Sequence, residues 1–436
     1  MPSLSTVFPS DRFGDSPVVV LDGGMGTTLQ APPFELALDS ALWSSELLAN
    51  EEGRKTLTKL HETWVDAGAD VIETCTYQSS LPLFLPASSS SYDSSTISAA
   101  LLTMVSAIPL TSSCCSSPPS TPSQPSPIAA LSLGPYGSSL QPGQEYGGLY
   151  PAPFATADAT YTSPSSAACS SAALAASPLP LDEIRSSSSV SSGGSSSIPE
   201  HEVHLAAWHL QRLQHFSTSP AFDSGISLLA FETVPVLAEA RAIRRAVGVF
   251  NASRCAEGKN EKPFYVSFVF PRVNEGEENE SVRFPDPSEE VSKLETLEEQ
   301  AVKVVKAAFG GDEVALARPG GIGLNCTSPL HAHTVVSALS SALSSFTSSS
   351  SAGGQEKPFL LLYPDGGAIY DVHTRSWHHP AGLTNSKWAG LVAGAVQVGR
   401  ESGAWEGVVV GGCCKAGPGA IRALRDEVGR RGWRKA

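Results

Sequence analysis

Cysteine is the residue type whose spacing in this chain most clearly suggests chemistry. Cys326 follows one short apolar run, and the pair Cys413-Cys414 follows another run near the C-terminus. Short apolar runs of this kind are typical of buried strands. Three thiolates leave one position open on a tetrahedral ion, which is the arrangement of a catalytic zinc site. Three buried cysteines that act as small apolar side chains are the alternative, since free cysteine is often buried.

Adjacent cysteines can bind one ion only where the backbone turns, because successive residues of a strand point to opposite faces. The two glycines before the pair, Gly411 and Gly412, are expected to supply the freedom for that turn. A second cysteine pair, Cys114-Cys115, lies in serine- and proline-rich sequence with no strand candidate directly before it. We therefore interpret the second pair as inert.

The segments around these residues alternate between two patterns. Short apolar runs give eight strand candidates at 17–21, 70–74, 129–133, 226–231, 264–269, 321–324, 358–362 and 407–410. Helical periodicity gives candidates at 54–67, 96–108, 202–216, 236–250, 289–309, 330–343, 386–400 and 419–430. Apolar strands separated by helices are typical of a parallel sheet covered by helices. Eight such units favour an α/β (β/α)8 TIM barrel over an open doubly wound sheet.

Functional side chains of such a barrel lie at the carboxyl ends of the strands and in the loops that follow. The sequence there reads DGGMGT at 22–27, TCTYQ at 74–78, GPYG at 134–137, ET at 232–233, NCT at 325–327, YPD at 363–365 and GGCCK at 411–415. Polar groups and thiols are therefore expected to converge on one rim.

Three stretches, about 86–127, 155–199 and 341–355, are rich in Ser, Ala, Pro and Thr. Such a composition buries little apolar surface against its ordering entropy, so we expect mostly loop or disorder, apart from the helix at 96–108. We interpret the three stretches as surface insertions, which are tolerated because loop length costs little. A regulatory or docking role is the alternative. The expected organisation is a single barrel domain over residues 1–436.

Charge and composition argue against several classes of protein. The 436 residues carry a formal net charge of −14, and phosphate binding needs clustered Lys and Arg, so we expect no nucleic-acid partner. The arginines at 430, 431 and 434 are interpreted as a solvated helix end. We find no run approaching the roughly 20 apolar residues of a membrane span and no secretory pattern, so we expect no membrane partner. Eight cysteines do not make a disulfide scaffold here, which favours a cytoplasmic location.

Six motifs of the chain resemble the homocysteine S-methyltransferase family. They are LDGGMGTTL at 21–29, GADVIETCTYQSS at 68–80, LGPYG at 133–137, FETVP at 231–235, GLNCTSP at 323–329 and GGCC at 411–414. Their order, and their spread over the chain outside the three insertions, make the resemblance specific. It implies a zinc-bearing (β/α)8 barrel enzyme of methionine biosynthesis. In that reaction a sulfonium donor gives its methyl group to the zinc-bound thiolate of L-homocysteine.

The resemblance also implies roles for individual residues. They are Cys326, Cys413 and Cys414 as zinc ligands and catalytic centre, Asp22 and Glu232 for the homocysteine amino group, Gly23, Gly24 and Met25 for its carboxylate, and Thr76, Tyr77 and Asn325 for the pocket lining.

Two rim loops depart from the family pattern. The usual Tyr-Pro-Asn-Ser-Gly after the seventh strand is Tyr-Pro-Asp-Gly-Gly at 363–367, and Lys-Ala-Gly at 415–417 replaces a run with small hydroxyl side chains. Both loops lie where a donor would bind. We see no cobalamin- or folate-binding module, so S-methylmethionine or S-adenosylmethionine is the expected donor, with betaine as the alternative.

Two further alternatives to an active methyltransferase remain. The altered loops at Asp365 and Ala416 motivate a zinc- and thiol-binding sensor with little turnover. The other alternative is a metallohydrolase on the same barrel, although none of the ten histidines falls at a candidate strand end. The oligomeric state is not predicted.

Overall fold

The computed structural model describes residues 3–86, 89, 91–116, 125–155, 171–187, 198–274, 280–288, 290–292, 294–311, 316–349, 356–367, 369–371, 376–378 and 382–434. Eight parallel strands form its centre: β1 (Val18–Val20), β2 (Val71–Glu73), β3 (Ile128–Leu133), β4 (Leu228–Val234), β5 (Phe264–Phe268), β6 (Gly321–Asn325), β7 (Phe359–Tyr363) and β8 (Val408–Val410). The order around the sheet is β1-β8-β7-β6-β5-β4-β3-β2. A parallel bridge between Leu21 and Val71 joins β1 to β2, so the sheet nearly closes. The expected (β/α)8 TIM barrel is confirmed.

Eight helices follow the strands on the outside of the barrel. They are α1 (Glu51–Ala67), α2 (Ala107–Ser116), α3 (Glu200–Ser217), α4 (Leu237–Ala256), α5 (Leu297–Phe309), α6 (Ala332–Ser349), α7 (Asn385–Glu401) and α8 (Pro418–Arg430). Shorter helical segments are Leu4–Val7, Ser10–Phe13, Met25–Leu29, Trp43–Ala49, Leu81–Phe84, Ser94–Val105, Tyr136–Ser139, Ser171–Ala176, Leu181–Ser186 and Phe222–Gly225. Two small antiparallel hairpins pair Arg272–Val273 with Ser281–Val282 and Ile369–Asp371 with Ser376–His378.

Alternate residues of each strand face two different cores. In β7, Leu360 and Leu362 belong to the large cluster between strands and helices, whereas Leu361 belongs to the smaller cluster inside the barrel. This is the period-two alternation of a strand that is buried on both faces. Phe8 and Phe13 from the N-terminal segment pack in the interior cluster. The strands therefore form a rigid, packed frame for the loops at their carboxyl ends.

Local signals fix where the outer helices begin and end. The Asn50 side chain accepts a hydrogen bond from Gly53 N–H at the start of α1, and the helix ends at Gly68, which has a φ of +95°. The helix predicted at 289–309 begins later, at Leu297, so that predicted start is wrong. Thr296 and Glu299 form a capping box, which satisfies the first N–H groups of α5 and sets its start.

The first serine-rich stretch is more ordered than its composition suggested. It contains the helix Ser94–Val105 and then α2, and Met104 and Ile108 on these helices are fully buried. The helix expected at 96–108 is confirmed, whereas the expectation of loop is wrong for 109–116, because apolar residues at helical spacing pack on the barrel. Within the second and third stretches, two short helices and the end of α6 are described, while residues 156–170, 188–197 and 350–355 lie outside the described residues.

The same helical stretch, Ser94–Ser116, is apolar and long enough to cross a membrane by length and composition. The expectation that no stretch approaches this length was therefore wrong. Length and composition are weak evidence for a span, because a helix packed on a soluble core passes the same test. In this fold α2 packs on α1 and β3, where Ile108 and Thr111 are fully buried.

A buried cluster of charged side chains lies at the end of the barrel opposite the rim. Asp70, at the start of β2, is fully buried and accepts a hydrogen bond from Val20 N–H at 2.9 Å. Arg425 of α8 donates to Asp70 at 3.2 Å and Arg434 donates at 2.5 Å. The interpretation of Arg434 as part of a solvated helix end is therefore wrong. Only 9% of its side chain is exposed, because the chain after α8 folds back under the barrel to pair with Asp70.

Candidate active site

A cavity of about 680 Å³ lies at the carboxyl ends of the strands. Every barrel strand, or the loop that follows it, contributes to the wall. One residue from each is Asp22, Glu73, Ser132, Glu232, Phe270, Cys326, Tyr363 and Cys413. Among the described lining residues, five carry carboxyl groups and one, Arg272, carries a guanidinium. The polar rim predicted from strand ends therefore exists, and its charge is mainly acidic.

The three predicted cysteines meet at this wall. The Sγ atoms of Cys326, Cys413 and Cys414 lie within 4.8 Å of one another. Cys326 and Cys413 form a disulfide in this structure, with their Cα atoms 5.4 Å apart. Cys326 is buried and has a φ of +47°, a strained conformation of the kind that clusters at functional sites. The fold thus brings together residues that are 87 positions apart in the sequence.

The chemistry of this cluster fits a metal ion once the disulfide is reduced. Thiolates are soft ligands that suit zinc, and three of them leave one coordination position for a substrate. The cluster borders the cavity, so a small molecule could reach that position. Asn325 approaches the same cluster, with its side-chain amide 3.9 Å from Cys413 Sγ. Contacts of this kind orient the ligands of metal sites.

The turn at the cysteine pair differs in origin from the one expected. Neither Gly411 nor Gly412 has a positive φ, whereas Lys415 has a φ of +63°. The expectation that the glycines supply conformational freedom is therefore wrong. A Cβ on Gly411 would press against Asp22 O, and one on Gly412 would press against the Ala416 side chain. The two glycines are needed because neighbouring chain segments approach closely.

Three carboxyl groups line the cavity close together. Asp22 accepts a hydrogen bond from Glu73 N–H at 2.9 Å. Glu73 accepts one from the Tyr265 hydroxyl at 2.8 Å, and Glu232 accepts one from the Ser132 hydroxyl at 2.5 Å. Asp22 and Glu232 were predicted, while Glu73 was missed. Its place at the last position of β2 was the available signal, since strand ends were already the expected location of the site.

Burial shapes the protonation of these groups. Desolvation raises the pKa of Asp22 and of Glu232 well above their usual values, and the charge of Glu73 raises both further. Burial also raises the pKa of Glu73 to about 7. Like charges that are this close disfavour each other's ionisation. A positively charged ligand group between the carboxyls would reverse this effect, so the arrangement is chemically suited to a cation.

Next to these carboxyls, the glycine loop after β1 offers two free amide donors. Gly24 N–H donates to Ala416 O at 3.0 Å, so this amide of the predicted carboxylate cradle is already used. In the part of the chain that the structure describes, Gly23 and Met25 N–H have no hydrogen-bond acceptor. All three residues line the cavity. The loop packs so tightly that a Cβ on Gly23 would overlap Ala416 O.

Two predicted lining residues lie behind the wall instead. Thr76 is fully buried, and its hydroxyl donates to Ser132 O at 2.7 Å. Asn325 is also fully buried, and its side chain holds Thr233 through the backbone N–H at 2.8 Å and the hydroxyl at 2.7 Å. Among the described residues, neither borders the cavity, because their side chains turn toward neighbouring strands. Tyr77 does line the cavity as predicted.

Glu145 and Tyr146 also line the cavity, and neither residue was predicted from the sequence. Both belong to the loop after the short helix Tyr136–Ser139. That loop has neither strand nor helix periodicity, so the available signal was only its closeness to the GPYG motif at 134–137. Tyr146 lines the same cavity as Cys414.

Comparison with known proteins gives a consistent picture over the chain. Residues 19–428 match the family model described as homocysteine S-methyltransferase. Homocysteine S-methyltransferase 2 of Zea mays is 24% identical over 410 residues, which cover 93% of this chain and 88% of the relative. Homocysteine S-methyltransferase YbgG of Bacillus subtilis is 24% identical over 408 residues, which cover 94% and 93% of the two chains.

A solved structure shares the fold. The metallated form of the homocysteine methyltransferase MmuM from Escherichia coli superposes with a TM-score of 0.55. The alignment covers 97% of this chain and 99% of that one, at 17% sequence identity.

Proposed function

The chain belongs to the homocysteine S-methyltransferase family, and from this premise we propose that it uses a sulfonium methyl donor, S-methylmethionine or S-adenosylmethionine, to convert L-homocysteine into methionine. The observation that carries the proposal is a single cavity lined by three cysteine sulfurs and by a cluster of three carboxyl groups. A thiol substrate with an ammonium group needs both features. Methylation of homocysteine is what the family does; the donor and the metal are the proposed parts.

Zinc is the proposed metal, and Cys326, Cys413 and Cys414 are its proposed ligands. When bound, the ion supplies a positive charge that keeps a substrate thiol in its thiolate form near neutral pH. Because cysteine binds zinc as a thiolate, this function requires the Cys326–Cys413 disulfide to be reduced. We therefore also propose a reducing compartment, the cytoplasm, as the location.

The amino-acid part of homocysteine fits the groups beside the cysteines. Asp22 and Glu232 would accept hydrogen bonds from the ammonium group, and Glu73 adds a third carboxyl to the same cluster. The free amides of Gly23 and Met25 would donate to the carboxylate. Charge-assisted hydrogen bonds of this kind are stronger than neutral ones. They would fix the substrate sulfur in one orientation.

Methyl transfer then requires little further chemistry from the chain. The homocysteine sulfur, as a thiolate, attacks the methyl carbon of the donor and forms a carbon–sulfur bond. The bond between that carbon and the donor sulfur breaks, and its electron pair stays on the donor sulfur, which becomes a neutral thioether. No proton moves in this step, so no general base is needed. The role of the residues is to hold two substrates in line.

A donor panel tests this proposal. The reduced, zinc-loaded chain is incubated with homocysteine deuterated on its side chain and with S-methylmethionine, S-adenosylmethionine or betaine. The deuterium label separates the new methionine from methionine left by the donor, and mass spectrometry detects it. We expect labelled methionine with a sulfonium donor. Labelled methionine with betaine alone would contradict the proposal of a sulfonium donor. If no donor gave labelled methionine, the alternative of a zinc- and thiol-binding sensor would be favoured.

A further inference from the structure

One acidic side chain of the cavity has no part in the chemistry above. Glu145 lines the same cavity as the cysteines, and burial raises its pKa. Within the described residues, its Oε2 atom is buried and has no hydrogen-bond partner. A buried polar atom without a partner is destabilising. Its presence in a cavity wall therefore points to a ligand that supplies the missing interaction.

The loop that carries Glu145 is held at both ends. Glu239 of α4 accepts hydrogen bonds from Tyr136 N–H at 2.6 Å and from the Tyr150 hydroxyl at 2.5 Å. Between these anchors, Gly143 packs against the Glu145 carboxyl so closely that a Cβ at this position would overlap Oε2. The loop is therefore anchored on both sides of Glu145, which lowers the entropy lost when this residue binds a ligand.

The position of Glu145 is close to the cysteine pair. Glu145 and Asp365 line the same cavity as Cys413 and Cys414. Asp365 already accepts a hydrogen bond from Gly367 N–H at 2.7 Å. Glu145 is the carboxyl group beside Cys414 that retains an unpaired oxygen.

The charge in this part of the cavity favours a cation. Asp22, Glu73 and Glu232 surround the proposed ammonium site, which leaves Glu145 and Asp365 as the remaining lining carboxyls in the described residues. Adding a neutral or anionic donor group here would leave these charges uncompensated in a partly desolvated site. A donor with a positive charge at its reactive atom would compensate them.

We propose that Glu145 binds the sulfonium centre of the methyl donor, an inference that rests on the proposed function. The carboxylate selects the charged donor over its neutral thioether. When the carbon–sulfur bond of the donor breaks, the electron pair neutralises the sulfonium, and the attraction to Glu145 ends. The same residue thus favours donor binding and product release.

The charge balance gives this role a kinetic signature. The positive charge that Glu145 stabilises is present in the bound donor and decreases in the transition state. Loss of the carboxylate should therefore raise KM for the donor and leave kcat unchanged or higher. A residue that only supported the fold would lower kcat or reduce the affinity for both substrates.

Two variants test the proposal in the reduced, zinc-loaded chain. Glu145→Gln removes the charge, and Gly143→Ala displaces the carboxyl group while leaving its charge. Glu406→Gln, at an exposed position near the start of β8, is the matched control. Calorimetry measures the binding of two sulfonium–thioether pairs, S-methylmethionine with methionine and S-adenosylmethionine with S-adenosylhomocysteine, and steady-state kinetics give kcat and KM.

We expect both variants to weaken sulfonium binding by about 10- to 100-fold, with thioether binding and the KM for homocysteine unchanged. Equal loss for sulfonium and thioether, or sulfonium affinities within about threefold of the control, would overturn the role of Glu145. A parent chain that binds neither sulfonium compound would also overturn the role of Glu145. A parent that binds a sulfonium without making methionine would overturn the proposed function alone, because the binding comparison would still test Glu145.

Discussion

The position of each of the three cysteine sulfurs depends on the backbone and side chains around it. Cys326 needs a backbone with positive φ, and Cys413 receives a contact from the Asn325 amide. Cys414 lines the same cavity wall as Tyr146. Such contacts restrict how far the three sulfurs can move, so the loss of one ligand atom is not easily compensated by movement of the others.

Replacing Cys413 by serine should therefore remove metal and activity together. A hydroxyl is a poor substitute for a thiolate as a ligand for a soft site. We expect well below one equivalent of zinc by elemental analysis and a fall in methionine formation of at least about 100-fold. Cys255→Ser changes an exposed thiol and is the matched control. Full zinc content in the Cys413 variant would contradict the ligand assignment.

Glu73 gives a prediction for stability as a function of pH. Burial raises its pKa from the usual 4.5 to about 7. Between these values the folded chain keeps a proton that the unfolded chain has lost, so the free energy of unfolding falls as pH rises through this interval. Glu73→Gln removes the titration. Its Tm relative to the parent should therefore rise between pH 5 and pH 8, by about 2–4 °C.

Thermal unfolding of the metal-free chain measures this difference without interference from ligands. Glu52→Gln, at an exposed position on α1, serves as the control and should show no pH-dependent gain. An equal shift for both variants at the two pH values would show that Glu73 ionises normally in the folded chain.

At the scale of elements, the loops of the rim are fixed from behind by α3. The guanidinium of Arg212 is buried and donates to the carbonyl oxygens of Ser79 at 2.9 Å, Gly134 at 2.7 Å and Tyr77 at 3.0 Å. One side chain thus donates hydrogen bonds to backbone carbonyls in the loops after β2 and β3, and both loops contribute to the cavity. Backbone carbonyls in buried loops need such partners.

Replacing Arg212 by methionine should leave these carbonyls without a donor. We expect the free energy of unfolding to fall by about 2–4 kcal/mol, because several buried acceptors lose their hydrogen bonds at once. Urea denaturation measures the change, and limited proteolysis should cut the loops near Ser79 and Gly134 sooner than in the parent. Arg422→Met on the exposed face of α8 is the control. Equal midpoints for the two variants would contradict this role.

The contacts of Arg212 also illustrate what the sequence could and could not predict. The eight barrel strands overlap their predicted ranges, because strands buried on both faces are nearly continuous apolar runs. The carbonyls bound by Arg212 lie 78 to 136 residues earlier in the chain. No local pattern marks such a pair, since only the closed barrel brings the elements together. The two-residue strands of the hairpin at Arg272–Val273 are too short to show periodicity.

The candidate site was predictable to the extent that motifs carry it. The cysteines, Asp22 and Glu232 were found from strand ends and from the family resemblance, and Glu73 could have been found in the same way. Which side chains face the cavity depends on strand twist and on turns that a sequence does not reveal. Thr76 is an example, because it follows β2 closely and yet its hydroxyl turns away to Ser132 O.

At the scale of the whole molecule, closure of the barrel brings the first strand of the chain next to the last one. The strands β1 and β8 pair side by side, and β1 bridges to β2. Near this seam, Asp70 joins the start of β2 to α8 and to the segment after it through Arg425 and Arg434. The active-site rim lies at the opposite end of the same strands. Stability of the seam should therefore affect the whole fold while the chemistry of the site stays intact.

Asp70→Asn tests this view of the seam. The neutral amide would leave Arg434 buried without its ionic partner, and breaking one side of a buried pair typically costs about 3–5 kcal/mol. We expect the urea midpoint to fall accordingly, while the KM for homocysteine of the remaining folded chain is unchanged. Asp426→Asn, an exposed position on α8, is the control. A midpoint equal to that of the control would mean that the barrel closes without the Asp70–Arg434 pair. A change in KM would mean instead that the two ends of the barrel are coupled.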